Sequence, residues 1–289
     1  MRSGNVELSE GFGRVMARVL VTAKDTGWAR RAAEAACGFG TSLIMCPAEC
    51  GIDGEVDGTY TPDGRPGIVF MVVQRTLPLL EEQLVSRISQ CVLTTPTAAC
   101  FNAQESDEVL PVGSKVQYFG DKLSTKEERF DRTLWRIPLM GGDFLIEDTF
   151  GVVHGESYKL WVMGSEVGAL TAARAAAETA SKVEGVFLPF PGGISAAGSK
   201  VGSVHYSFLK ASTNHPYCPT VRDRIESRLP EGIEAVYELV ITGLDRQRVE
   251  DAMYGAVEAA AANGAARISA GTFAKKVIAR RPDLADLLK

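Results

Sequence analysis

A chain of 289 residues, 45% of them hydrophobic, can bury one large core or two modest ones. Its 36 acidic and 31 basic residues leave a formal charge of -5, and no Lys/Arg cluster stands ready to neutralise a phosphate backbone, which argues against nucleic acid as a partner. The opening MRSGNVELSEGFGR lacks a signal peptide's cationic start and apolar stretch, and no apolar run nears the roughly 20 residues that span a bilayer, so a cytoplasmic protein with no membrane partner is expected.

In chain order, RVMARVLVTA (residues 14–23) reads as a strand, and WARRAAEAACGF sets Trp28, Ala32, Ala35 and Ala36 on one helical face. TSLIMC (residues 41–46) reads as a buried strand. The turn-dense TPDGRPG precedes a third strand, GIVFMVV. LPLLEEQLVSRISQCVL spaces Leu80, Leu84, Ile88 and Cys91 as a helix, and AACF completes a β-α-β-β-α-β order. Residues 104–150, with the strand candidates KVQYFG, WRIPLM and DFLIED, read as an excursion. Beyond Thr149 the order returns. SYKLWVMG is a strand, VGALTAARAAAETASKV a helix with Leu170, Ala173 and Ala177 on one face, and GVFLPF and EAVYELVIT are strands. DRQRVEDAMYGAVEAAAAN follows, capped by Asp245 with Val249, Met253 and Val257 aligned, and ARISAGTF ends the set. The pattern predicts an α+β fold of two ferredoxin-like (βαββαβ) lobes from an internal duplication. Residues 1–150 would hold the first lobe with the excursion, and 151–289 the second with a long substrate-cleft loop. Pro47 in MCPAECGI and Pro191 in PFPGGISA hold matching places.

PFPGGISAAGSK (residues 189–200) contains the parts of a phosphate-binding loop in the wrong order. A P-loop needs Gly followed directly by Lys and then a hydroxyl, whereas here Ser199 precedes Lys200, so no nucleoside triphosphate is expected. The connection at residues 192–232 is far longer than a usual loop and is rich in Ser, Gly, Tyr, Asn and Pro, as a ligand surface is. It leads into the strand carrying Glu238. Period-two alternation puts Glu238 between Val236 and Val240 on one face of a central strand, where desolvation disfavours its charged form and suits it to acid–base work. A structural Glu in an ion pair or on a wet sheet face fits the same pattern, and the strand pattern by itself favours that reading. Ser212, Thr213 and Asn214 could orient a substrate or stabilise an oxyanion, or simply form turns. Six cysteines without a C-x-x-C read as reduced packed thiols. Cys46-x-x-x-Cys50 and the three histidines fit no metal site, so none is expected. Cys218 before Pro219 lacks a helix N-terminus to activate it, and GFGTSL leads into a strand, so neither a thiol nucleophile nor a dinucleotide site is expected.

GFGTSLIMCPAECGID, TPDGRPG, QCVLTTPTAACF, PFPGGISAAGSKVGS, ASTNHPYCPTV, VYELVITGL and RISAGTF, in that order along nearly the whole chain, resemble the formylmethanofuran–tetrahydromethanopterin formyltransferase family. The resemblance implies a duplicated ferredoxin-like unit that self-associates into dimers and tetramers with active sites near subunit boundaries. It implies ATP-independent exchange of a formyl group between the amine of methanofuran and N5 of tetrahydromethanopterin. Glu238 matches the family's acidic site residue and would serve as its proton carrier. Gly192, Gly193, Ser199, Lys200, Ser212, Thr213, Asn214, Tyr217, Pro47 and Glu49 would bind the two carriers, and Asp148 is a further polar candidate. Cys50 and His215 depart from the residues expected there. The mild charge points to a bacterial one-carbon oxidation relative working with the hydrolase subunits of a formyltransferase/hydrolase complex, on carriers that can bear glutamate tails. Against this stand a non-catalytic ferredoxin-like scaffold or small-molecule sensor, and a tetrahydrofolate-dependent formyltransferase.

Overall fold

The computed structural model describes residues 13–269, which divide into two compact units, one of residues 14–155 and one from 156 onward. In the first, β1 (Arg14–Thr22) leads to α1 (Thr26–Cys37), which starts where the Asp25 carboxylate accepts from the Trp28 N–H at 3.0 Å. β2 (Glu49–Val56), β3 (Gly67–Gln74), α2 (Leu77–Arg87) and β4 (Ala99–Asn102) follow. The sheet runs β2-β3-β1-β4, every neighbour antiparallel. Alternation sends Val15, Ala17, Val19 and Val21 of β1 and Ile68, Phe70 and Val72 of β3 against the helices, where Ala29, Ala32, Ala33 and Ala36 of α1 are buried.

Three expectations for residues 14–103 need correction. TSLIMC is not a strand: the Met45 and Cys46 amides donate to the Ser42 carbonyl and the Leu43 amide donates to Glu49, so local turns take the donors a ladder would need. Trp28 and Ala35 lie off the buried face of α1, since a face built from Ala packs the helix too close to the sheet for an indole, and Trp28 instead lies under the Arg31 guanidinium. After α2 the chain winds one π turn, Ile88–Val92, which buries Val92 and leaves Cys91 partly exposed.

Residues 104–150 widen the first unit's sheet. After β5 (Val109–Leu110) comes α3 (Val112–Val116), continued by a 3-10 turn at Gln117–Gly120, so KVQYFG is helical. Val112 and Val116 are buried at helical spacing, and Gly113 lies so close to the chain that an added Cβ would come within 2.2 Å of the Glu147 carbonyl oxygen. β6 (Thr125–Arg129), β7 (Arg132–Leu139) and β8 (Gly142–Glu147) form a meander whose last strand runs parallel beside β4. Then come β9 (Phe150–Gly151) and β10 (Val153–Gly164), the first residues of which pair with β1.

Asp148 spends its carboxylate within this unit, accepting from Ser114 at 2.5 Å and from Trp135 and Lys126 at 2.7 Å each. Burial raises its affinity for a proton, but those three donors outweigh it and hold its pKa below the usual aspartate value. Asp148→Asn is therefore expected to cost about 1–3 kcal/mol near neutral pH. The sign of the pH effect follows from the lowered folded-state pKa. The stabilisation is complete above the unfolded value of roughly 4 and fades as pH falls through the folded one, so the gap between variant and parent in urea melts should close on acidification.

In the second unit, β10 from Glu156 onward pairs with β14 (Ala235–Gly243), after α4 (Glu166–Ala180), β11 (Val186–Phe187), β12 (Lys200–Val201) and β13 (Ala211–Ser212). α5 (Arg246–Ala262) and β15 (Arg267–Ser269) complete it, and the end of ARISAGTF lies outside the described residues. The sheet order is β11-β14-β10-β15, again antiparallel throughout. Asp245 caps α5 through the Arg248 N–H at 2.9 Å, and Val249, Met253 and Val257 are buried as expected. α4 buries Ala173 and Ala177 as expected, together with Ala169, Ala172, Ala176 and Ala180, but leaves Leu170 partly exposed, because small residues let α4 and α5 pack closely. Among the described residues no helix is long and apolar enough to cross a membrane.

Candidate active site

On the helix-free face of the first unit's sheet, Leu20, Val69, Ala99, Phe101 and Leu134 close an apolar cluster. The helix-free face of the second unit mixes polar groups with the apolar Met163, Val236 and Val240. There β10 presents Ser157, Lys159 and Trp161, and β14 presents Glu238 and Thr242, with Trp161 directly opposite Glu238 in the ladder. The Ser157 and Thr242 hydroxyls are 2.8 Å apart.

The long loop after β11 folds over this face. It is tied down by a two-way backbone bridge, with the Ser195 N–H donating to the Glu238 carbonyl at 2.8 Å and the Glu238 N–H to the Ser195 carbonyl at 2.9 Å. Gly198, at φ +69°, then turns the chain, and Ser199 meets the carboxylate. The Ser199 N–H donates to Glu238 Oε1 at 3.0 Å and its hydroxyl donates to the same oxygen at 2.5 Å. Trp161 Nε1–H donates to Oε2 at 2.8 Å. Glu238 is left 3% exposed, and three donors meet the desolvation of its carboxylate. Lys159 Nζ donates to the Ser199 carbonyl at 3.2 Å and to the Ser199 hydroxyl oxygen. The Tyr217 and Trp161 rings meet in a T-shaped contact with centroids 4.6 Å apart.

The structure thus brings together Ser199, Glu238 and, through Trp161, Tyr217. Lys200 pairs with Ser212 across the β12–β13 ribbon and directs Nζ toward His215 Nδ1 at 3.4 Å. Ser212 Oγ donates to the Gly202 carbonyl at 2.6 Å, and the Thr213 hydroxyl sits 3.1 Å from Cys218 Sγ, so both are engaged within the loop. Asn214 lies beside Gly198, where an added Cβ would come 3.5 Å from its own. Gly192 and Gly193 form a 3-10 turn at φ +61° and +77°, and Gly193 packs against Ala177 of α4. Pro47 and Glu49 belong to the first unit, where the Pro47 carbonyl accepts from the Gln74 amide and Glu49 Oε1 accepts from the Leu43 N–H at 3.1 Å. Sequence reasoning missed Lys159 and Trp161. SYKLWVMG already places them on one face by alternation, but only the register with β14 sets them beside Glu238.

The cysteines divide sharply. Burial raises the Cys46 thiol pKa, but hydrogen bonds from the Thr41 side chain and from Ser42 and Thr41 backbone groups outweigh it and leave the thiol below its ordinary value. Burial instead pushes Cys50 up to about 12 and Cys37 and Cys100 well above normal. Iodoacetamide at pH 7 should label Cys46 before those three, as peptide mass spectrometry would read; earlier labelling of Cys50 or Cys100 would contradict this packing.

A buried carboxylate held by three donors under a long loop of a mixed α+β chain fits the class of loop-capped small-molecule enzymes. Two family models match the chain, one described as formylmethanofuran-tetrahydromethanopterin formyltransferase over residues 6–139 and one as the proximal lobe of the same family over residues 142–287. The chain belongs to the formylmethanofuran–tetrahydromethanopterin formyltransferase family. The enzyme of that name from Methanopyrus kandleri is 47% identical over 276 residues, covering 93% of this chain and 92% of its own. The solved structure of the Methanosarcina barkeri enzyme superimposes with a TM-score of 0.86 at 43% identity, over 93% of this chain and 92% of that one. The formyltransferase/hydrolase complex from Methylorubrum extorquens, solved with methylofuran, matches with a TM-score of 0.87 at 36% identity, over 99% of this chain and 96% of the matched one.

Proposed function

We infer that this chain transfers a formyl group between methanofuran, or an analogue such as the methylofuran bound by the Methylorubrum relative, and N5 of tetrahydromethanopterin. The observation that carries the reading is the match to formyltransferases over both halves of the chain, at up to 47% identity. Both ends of the exchange are formamides, so the reaction is near balance and needs no ATP. A scaffold role has no comparable support.

The chemistry assigns work to Glu238. N5 attacks the formyl carbon, a tetrahedral centre with an oxyanion forms, and the departing primary amine must take a proton because an amide anion is too poor a leaving group. Glu238 takes the proton from N5 and returns it to the amine nitrogen. No covalent intermediate on the enzyme is required. Ser212, Thr213, Asn214, Gly192, Gly193, Lys200 and Tyr217, all on the loop that covers Glu238, hold the carriers in attack geometry. Pro47 and Glu49 are carrier-binding residues of the first unit. The support is positional: the same loop supplies Ser199 to the Glu238 carboxylate and Tyr217 to Trp161.

The finer architecture belongs to this reading too. The two units share one strand order and read as a duplicated ferredoxin-like plan with its lobes divided near residue 150; Val69 stands as far before the α2 cap as Glu238 stands before the α5 cap. Self-association into dimers or tetramers in the cytoplasm, and work beside hydrolase subunits, complete the picture, the last supported by the Methylorubrum complex. Native mass spectrometry of the protein drawn from its own cells tests the partners.

The activity is tested by giving purified protein formylated methanofuran or methylofuran with tetrahydromethanopterin, and tetrahydrofolate in parallel. Formyl-tetrahydromethanopterin should accumulate without ATP. Turnover with tetrahydrofolate alone, or with no acceptor, overturns the reading.

A further inference from the structure

We propose that Ser199, backed by Lys159, is a positioning residue that occupies one oxygen of Glu238 and so reserves the other, Oε2, as the atom that takes and returns the proton. This rests on Glu238 being the proton carrier. Each carboxylate oxygen has two acceptor positions. Oε1 receives both the N–H and the hydroxyl of Ser199, which fills it. Among the described residues, Oε2 receives one donor, the Trp161 indole, so one position remains on it. An indole N–H can only donate and cannot relay a proton, so Trp161 orients Oε2 without competing for what arrives there.

Lys159 explains why the serine hydroxyl points at Glu238. A hydroxyl carries one hydrogen and can turn it toward any acceptor. The Lys159 ammonium donates to the Ser199 oxygen and to the Ser199 carbonyl, which directs the one hydroxyl hydrogen onward to Oε1. The order Gly198-Ser199-Lys200, which spoils a P-loop, is what this contact needs: glycine at positive φ makes the turn and the next residue delivers both N–H and hydroxyl to one oxygen.

During transfer the N5–H bond breaks and an O–H bond forms at Oε2 as N5 bonds to the formyl carbon. The same proton passes to the amine nitrogen as the old carbon–nitrogen bond breaks. Ser199 and Lys159 end with the protons they began with.

The test compares kcat and KM for both carriers in Ser199→Ala, Ser199→Thr and Lys159→Met, each also built on Glu238→Gln. Loss of one charge-assisted hydrogen bond should lower kcat of Ser199→Ala by about ten- to hundredfold with each KM within about threefold. Ser199→Thr, which keeps the hydroxyl, should recover most of it, and Lys159→Met should reproduce part of the loss through an intact serine. On Glu238→Gln, Ser199→Ala should change the residual rate little, because the serine acts only through the carboxyl group. Unchanged kcat in both Ser199→Ala and Lys159→Met, a KM effect alone, or an equal loss on the Glu238→Gln background overturns the proposal. Full activity of Glu238→Gln by itself removes the proton carrier, a failure seen before any serine variant is made.

Discussion

Glu238→Gln is expected to lower kcat for formyl transfer by about 10²- to 10⁴-fold, the range that general acid–base groups contribute. Glutamine has nearly the same shape, so the loop above it has no cavity to collapse into. What changes is that an amide cannot accept a proton from N5 and return it to the leaving amine. Its NH₂ must also replace one acceptor oxygen, facing either the Ser199 donors or the Trp161 indole N–H. A buried donor facing a donor costs about 1–3 kcal/mol, so a lowered but still cooperative melting transition should accompany the lost activity. Circular dichroism beside single-turnover kinetics separates the two effects. A kcat equal to the parent's would remove Glu238 from the chemistry.

Phe101→Ala is expected to cost about 3–5 kcal/mol, the usual penalty for truncating a fully buried phenylalanine. The ring lies on the helix-free face of the first unit among Leu20, Val69, Ala99 and Leu134, in a T-shaped contact with Phe130 at 6.4 Å between centroids. Leu134 comes from the meander strand β7, so the loss loosens the attachment of that meander to the sheet as well as the transfer energy of the ring. Urea unfolding should show the deficit, with Phe101→Leu losing much less because it fills most of the volume. A deficit below about 1 kcal/mol would mean the cluster repacks.

The helix-free faces of the two sheets are covered differently. In the first unit part of that face is sealed by side chains of a meander around Phe101, and Arg18 on the same face of β1 pairs with Asp53. In the second the face is covered by a loop tied through backbone at Ser195 and a hydroxyl at Ser199, which leaves Glu238 buried beneath it.

Local pattern alone determined the strands at RVMARVLVTA, GIVFMVV and EAVYELVIT, the Asp245 cap, and the face on which Glu238 lies, because period, capping and turn chemistry act between residues a few positions apart. The family likeness was also legible in unbroken blocks of sequence. Where neighbours in space outweighed neighbours in sequence, pattern failed. TSLIMC has a strand's composition, but Glu49 and the Ser42 carbonyl claim its amides. KVQYFG is apolar in a strand-like way, but α3 is fitted against the backbone at Glu147. Only tertiary structure decided the company Glu238 keeps. Ser199 is 39 residues away and Trp161 is 77, and no periodicity reaches that far, because register between strands and the descent of a loop are set by the whole packed unit.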